Sequence, residues 1–74
     1  MYMISVHIQS IIFDKNWTTE SARYWLKKHN IRPIKRVHII NNKLRYRINE
    51  PNFKHYFTRK GKQPGIMIVY GIDR

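Results

Sequence analysis

The sequence predicts an α+β domain: a small mixed, mostly antiparallel sheet with one helix packed on one face, in the order β-α-β-β-β-β. Three observations lead there. Near the N-terminus Ile4, Val6 and Ile8 alternate with Ser5, His7 and Gln9, which is the period of a half-buried strand. Only one stretch, beginning near Thr19, spaces its apolar residues as a helix does. From Ile34 onward the chain returns to alternation or to short apolar runs, broken by Asn, Pro and Gly.

The first strand is expected over Met3 to Phe13, with a bulge or the strand's end at Ser10, where the alternation slips. A helix is expected over Thr19 to His29. Thr18 is its N-cap because a threonine hydroxyl accepts a hydrogen bond from a first-turn N–H, Trp17 is placed to pack on Ala22, and Glu20 suits the positive end of the helix dipole. Ala22, Trp25, Leu26 and His29 form the buried stripe, leaving Arg23, Lys27 and Lys28 to solvent. Lys27, Lys28 and His29 match the negative C-terminal end, Asn30 can take the left-handed cap, and Pro33 prevents continuation. If the first two strands are parallel neighbours, their crossover is right-handed.

A hairpin over Ile34 to Ile48 follows, turned at Asn41-Asn42, since Asn tolerates the positive φ of a tight turn. A two-residue loop pairs Ile39 with Leu44, Val37 with Tyr46 and Lys35 with Ile48 on a mostly apolar face. It sets Arg36, His38 and Ile40 against Arg47, Arg45 and Lys43 on the other. A four-residue loop keeps that register, whereas a three-residue loop turns Arg45 and Arg47 toward the core. Glu50-Pro51-Asn52 ends the hairpin. Phe53 to Arg59 makes a shorter strand, a mobile loop is expected over Gly61 to Gly65, and Ile66 to Ile72 is almost continuously apolar. That last run fits a central strand covered on both faces or an edge buried by a partner.

The 74 residues hold 15 Lys+Arg against 4 Asp+Glu, a net charge of +11, and no Cys. A hydrophobic content of 42% argues against disorder and for one domain over residues 1–74. Without Cys, disulfides, thiol nucleophiles and thiolate metal sites are excluded. A chain of this size buries only about 60% of its unfolded surface, so association as a homodimer is expected. No apolar run approaches the roughly 20 residues of a membrane span, and the start lacks a signal-peptide pattern, so a soluble, unprocessed chain with no membrane contact is expected.

His7, His29, His38 and His55 are scattered, without the i,i+4 pair or close carboxylate of a zinc site, so no metal is expected. No glycine-rich phosphate loop, adjacent nucleophile and base, or carboxylate cluster is present, so neither catalytic residue nor cofactor is expected. An enzyme would require Glu50 and a histidine to converge in a cleft. The charge is the stronger signal: Ser21 to Asn49 carries nine Lys or Arg and no acid. Like charges opposite one another destabilise a sheet, and a polyanion would relieve them.

Arg36, His38, Lys43, Arg45 and Arg47 therefore make the expected nucleic-acid-binding face, the arginines forking onto phosphate oxygens and Lys43 acting as a point charge. Arg23, Lys27 and Lys28 form a second patch, on the other side of the sheet if the helix packs there. Lys54, Arg59, Lys60 and Lys62 form a third, with the 59–62 tip able to clamp a phosphate. A merely solvated cationic surface is the competing reading. Tyr46 and Phe53 fall on core parity, Trp17 and Trp25 are packing residues of the helix, and Tyr56 and Phe57 stay open between core and base stacking.

The order Trp17-Thr18-x-x-x-Ala22-x-x-Trp25-Leu26-Lys27-x-His29, Arg45-x-Arg47, Phe53-Lys54-x-Tyr56 and Gly65-Ile66-x-Ile68-Val69-x-Gly71 resembles small basic proteins of large double-stranded DNA viruses. The Marseillevirus group of amoebae is among them, with similar short domains in some phage genomes. The resemblance runs from about Ile8 to Gly71, and no biochemical activity is established for the family. It implies a viral, virion-packaged protein, located in the virion or at the viral factory in the host cytoplasm, with packaged DNA at hand. The expectation is thus a non-enzymatic, largely nonspecific nucleic-acid-binding protein. The alternative is a structural or assembly protein that presents its basic sheet face or last strand to a viral protein partner.

Overall fold

The computed structural model describes residues 5–73. Its elements are β1 (Ser5–Phe13), α1 (Thr19–Lys28), β2 (His38–Ile40), β3 (Lys43–Arg47), β4 (His55–Lys60) and β5 (Ile66–Asp73). The fold is α+β, as expected. The five strands form one sheet in the order β2-β3-β1-β5-β4, with every neighbouring pair antiparallel. β1 and β2 are not neighbours, because β3 lies between them and no parallel crossover forms. The cause lies in the hairpin. Its longer arm buries Leu44 and Tyr46 and docks on β1, pairing Ser10 with Arg47 through to Phe13 with Leu44, while the exposed β2 stays at the edge. Met3 and Ile4 of the expected first strand lie outside the described residues.

Alternation assigns the two sheet faces. Ile11 and Phe13 of β1, Leu44 and Tyr46 of β3 and Ile66 of β5 meet Ala22 and Leu26 of α1 in the core. Trp17, Trp25, Ile31, Val37, Ile48 and Ile68 pack around them. Thr18 caps the helix with the Ser21 side chain completing the box: the Ser21 N–H donates to Thr18 Oγ1 at 3.1 Å, and the Thr18 N–H donates to Ser21 Oγ at 3.0 Å. Helix α1 ends one residue earlier than expected, at Lys28, and Asn30 takes φ 57° beyond it. His29 is exposed and not part of the buried stripe. Its ring stacks on Trp25, centroids 4.0 Å apart.

The Asn41-Asn42 turn forms with φ of 50° and 64°, and the ladder pairs Ile40 with Lys43, Ile39 with Leu44 and His38 with Arg45. The hairpin is shorter than Ile34 to Ile48. Below His38 the chain leaves the ladder, and the Ile34 N–H donates to the Arg47 carbonyl at 2.8 Å, so Arg36 does not stand opposite Arg47 in the sheet. The chain bends at Ile34 and Lys35, which leaves too few extended residues before β2 to carry the pairing further.

β1 and β5 pair from Ser5–Asp73 to Phe13–Ile66, with a bulge between Ile8 and Ser10. β5 also pairs with β4 on its other side, so it is interior to the sheet and not an edge, but it is not covered on both faces, since Met67 is exposed. The Gly61 to Gly65 loop is tied down at several points. The Gly61 N–H donates to Ile66 O at 2.7 Å, the Asp14 N–H to Gly65 O at 2.8 Å, and Trp17 Nε1 to Pro64 O at 3.1 Å. Gly65 sits at φ 81°, and a Cβ there would press on the Asp14 carboxylate. Phe53, expected in the core, instead lies on the opposite side of the sheet from α1. It covers Gly71, where a Cβ would collide with its ring, and it stacks on His7 at 5.6 Å.

Candidate nucleic-acid interface

The sheet face opposite α1 has no second layer among the described residues. Register places His38 and Ile40 of β2, Lys43, Arg45 and Arg47 of β3, Ser10 and Ile12 of β1, Met67 and Val69 of β5, and Thr58 and Lys60 of β4 on this open side. At its β2 end lies a groove of about 670 Å³ lined by Lys35, Arg36, Val37, His38, Ile40, Arg45 and Arg47. No carboxylate lines it.

The β1 bulge positions one of these cations. Gln9, the extra residue, is almost fully buried. Its carbonyl accepts from the Ile48 and Asn49 N–H groups at 2.8 and 3.2 Å, and its Nε2 donates to Asn49 O at 3.1 Å. Asn49 Nδ2 closes the junction by donating to Ile8 O at 2.7 Å. Gln9 Oε1 is thus held facing the open side, where it accepts from the Ser10 hydroxyl and from an Arg45 guanidinium N–H at 3.3 Å. Arg45 Nε also donates to Ser10 Oγ at 3.3 Å. Two donors hold the half-buried guanidinium in place and leave the others for a ligand. Gln9 and Ser10 were not singled out as site residues by the sequence, but the slip in alternation at Ser10 marks where they act.

Helix α1 lies on the other side of the sheet. Between it and the 30–37 segment runs a second, larger groove of about 1360 Å³, whose lining includes Arg23, Tyr24, Lys27, Arg32, Ile34 and Tyr46. Lys35, Arg36 and Val37 line both grooves, so the segment before β2 forms a shared rim around the sheet edge. Among the described residues the one ion pair is the exposed Lys35 with Glu50, at 4.0 Å. The Tyr46 hydroxyl is buried without a hydrogen-bond partner, and burial pushes its phenol above the usual tyrosine range while Arg23 pulls it back in part. Removing a hydroxyl that makes no bond forfeits nothing. Tyr46→Phe is expected to leave stability unchanged or raise it by up to about 1 kcal/mol in a denaturant titration, whereas a loss above that would mean the hydroxyl is bonded in solution.

The expected site residues thus divide. Arg36, His38, Arg45 and Arg47 share the open-face groove, and Lys43 stands beside it, opposite Ile40. Arg23 and Lys27 join them around the edge, while Lys28 lines neither groove. Lys54, Arg59, Lys60 and Lys62 belong to the opposite end, in or beside β4, three strands and about 14 Å from β3. Arg59 points to the helix side, its guanidinium 5.6 Å from the Phe57 ring, and Phe57 stacks on Tyr70. Tyr56 is exposed on the open side, edge-on to Phe53.

Among the described residues no cluster of three or more His, Cys, Asp or Glu could hold a metal, and no helix is long and apolar enough to cross a membrane. No protein-family model, curated protein or solved structure matches this chain.

Proposed function

We propose that this chain is a non-enzymatic nucleic-acid-binding protein that grips the phosphate backbone with little sequence specificity. The observation that carries this reading is the groove at the β2 end of the open face, lined by Lys35, Arg36, His38, Arg45 and Arg47 without a carboxylate. Cations gathered in a concave surface raise the local potential far more than the same charges spread over a convex one. Arg45 is already oriented, so its ordering costs little on binding. Phosphate contacts of this kind position a chain without reading bases. A packaged viral genome is the polyanion that the family resemblance would supply, with the virion or viral factory as the setting.

Affinity for random-sequence nucleic acid should fall steeply with salt. For about five neutralised phosphates the log-log slope is about −3.5 on a single strand and about −4.5 on a duplex. Titrations between low and physiological salt measure it, and a flat response or no binding at low salt would overturn the proposal.

A second reading, docking onto an acidic face of a viral structural protein, draws on Ile39 and Ile40, both exposed at the β2 edge. β5 is interior, so only its faces, not its backbone edge, are open to such a partner. Capture of a protein partner that survives nuclease treatment would favour this reading. A homodimer would cover the part of the sheet beyond α1, where Val6, Ile8, Phe57, Tyr70 and Ile72 share the helix side.

A further inference from the structure

We infer that the nucleic acid this protein takes is single-stranded, and that it passes around the β2 edge from the Arg45–Arg47 groove into the groove beside α1. The inference rests on the nucleic-acid reading above and narrows its ligand. The two grooves lie on opposite sides of the sheet, yet they share Lys35, Arg36 and Val37 as a common rim. A cationic track therefore continues from Arg47 and Arg45, over Arg36, to Arg23 and Lys27, with no carboxylate in either lining. The molecule is only 23–25 Å across in its two shorter dimensions. A duplex, with a persistence length of about 50 nm, cannot turn around an edge of that size, whereas a single strand bends at every nucleotide.

The composition of the second groove points the same way. Ile31, Pro33, Ile34 and Val37 give it apolar walls, and Tyr24 stands at its side 68% exposed, one helical turn before Lys27. Phosphates have no use for apolar walls. Unpaired bases do, since an exposed ring beside a cationic track is a platform on which single strands stack. Beneath lies the Tyr46 hydroxyl, a buried donor that has no partner within the protein. The groove's 1360 Å³ exceeds the roughly 300–1,000 Å³ of a site for one small molecule and suits a run of nucleotides.

The test is fluorescence anisotropy at fixed low salt with labelled oligo-dT of about 12 nucleotides, within the usual range of single-strand sites, against a mixed-sequence duplex of the same length. The single strand should bind about tenfold tighter or better, given the stacking available to unpaired bases. Arg23→Ala with Lys27→Ala, both exposed and so expected to fold normally by circular dichroism, should lower single-strand affinity about tenfold while leaving duplex affinity within about twofold. Tyr24→Ala should lower it at unchanged salt slope, as loss of a stacking contact does. Equal or tighter binding of the duplex, or a double variant that binds the single strand as the native chain does, overturns the inference while leaving the backbone-binding reading in force. Failure of both probes to bind overturns that reading as well.

Discussion

Reversing Arg45 and Arg47 together to Glu is expected to lower affinity for random-sequence nucleic acid by about 100-fold or more at low salt, since each removes a charge-assisted hydrogen bond worth roughly 1.5–3 kcal/mol. Both side chains line the open-face groove, and neither has a carboxylate partner among the described residues. The matched comparison is Lys54→Glu with Lys62→Glu. It changes the net charge by the same amount at the opposite end of the sheet, and a loss below about fivefold is expected because exposed charges more than about 10 Å away are largely screened. Anisotropy titrations of the two variants decide between a site and a diffuse cationic surface, with equal losses identifying the latter. The arginines should also differ in kind. Arg45 bonds to Gln9 and Ser10, so Arg45→Glu costs some stability as well as affinity, whereas Arg47→Glu should reduce affinity alone.

Most of the fold was legible because local rules and tertiary packing agree. The Asn41-Asn42 turn fixes the parity of the hairpin, and parity alone then sends Leu44 and Tyr46 to the core and Lys43, Arg45 and Arg47 to the open face. Capping by Thr18 and the left-handed Asn30 followed from the same kind of local chemistry. Strand order did not follow, because it depends on which hairpin arm buries more against β1, a comparison between distant segments. Phe53 lies away from its core parity for a related reason. It precedes β4 and is not governed by that strand's alternation, and its place is set by the bare backbone of Gly71 on another strand. The site was legible as a list of charges and not as a surface. Lys54 and Arg45 look alike in sequence, and only the sheet order puts them at opposite ends.

Phe13→Ala is expected to cost about 3–5 kcal/mol, the usual range for emptying a fully buried aromatic site. Phe13 is fully buried, flanked by Leu44 on β3 and Ile66 on β5. Its ring meets Trp17, Trp25 and Tyr46 at centroid distances of 5.0, 5.8 and 5.7 Å. One side chain thus joins the strand, the helix and the hairpin. Collapse into the cavity is opposed from several directions. Trp17 is held by its bond to Pro64 O, Trp25 belongs to α1, and Tyr46 is fixed in the β1–β3 ladder. A domain of this length has a stability of about 4–11 kcal/mol, so the loss takes about a quarter of it or more. At roughly 4–8 °C per kcal/mol, the midpoint of thermal unfolding should fall by at least about 12 °C. Ile39→Ala is the informative comparison: an isoleucine of the same sheet, 61% exposed at the β2 edge, it should shift stability by no more than about 0.5 kcal/mol. Thermal melts followed by tryptophan fluorescence measure both, since Trp17 and Trp25 flank the deleted ring. Similar shifts in the two variants would mean that hydrophobicity alone holds the chain together, without a core centred on Phe13. A large difference would locate the stability that keeps β3, and with it Arg45 and Arg47, in register against β1.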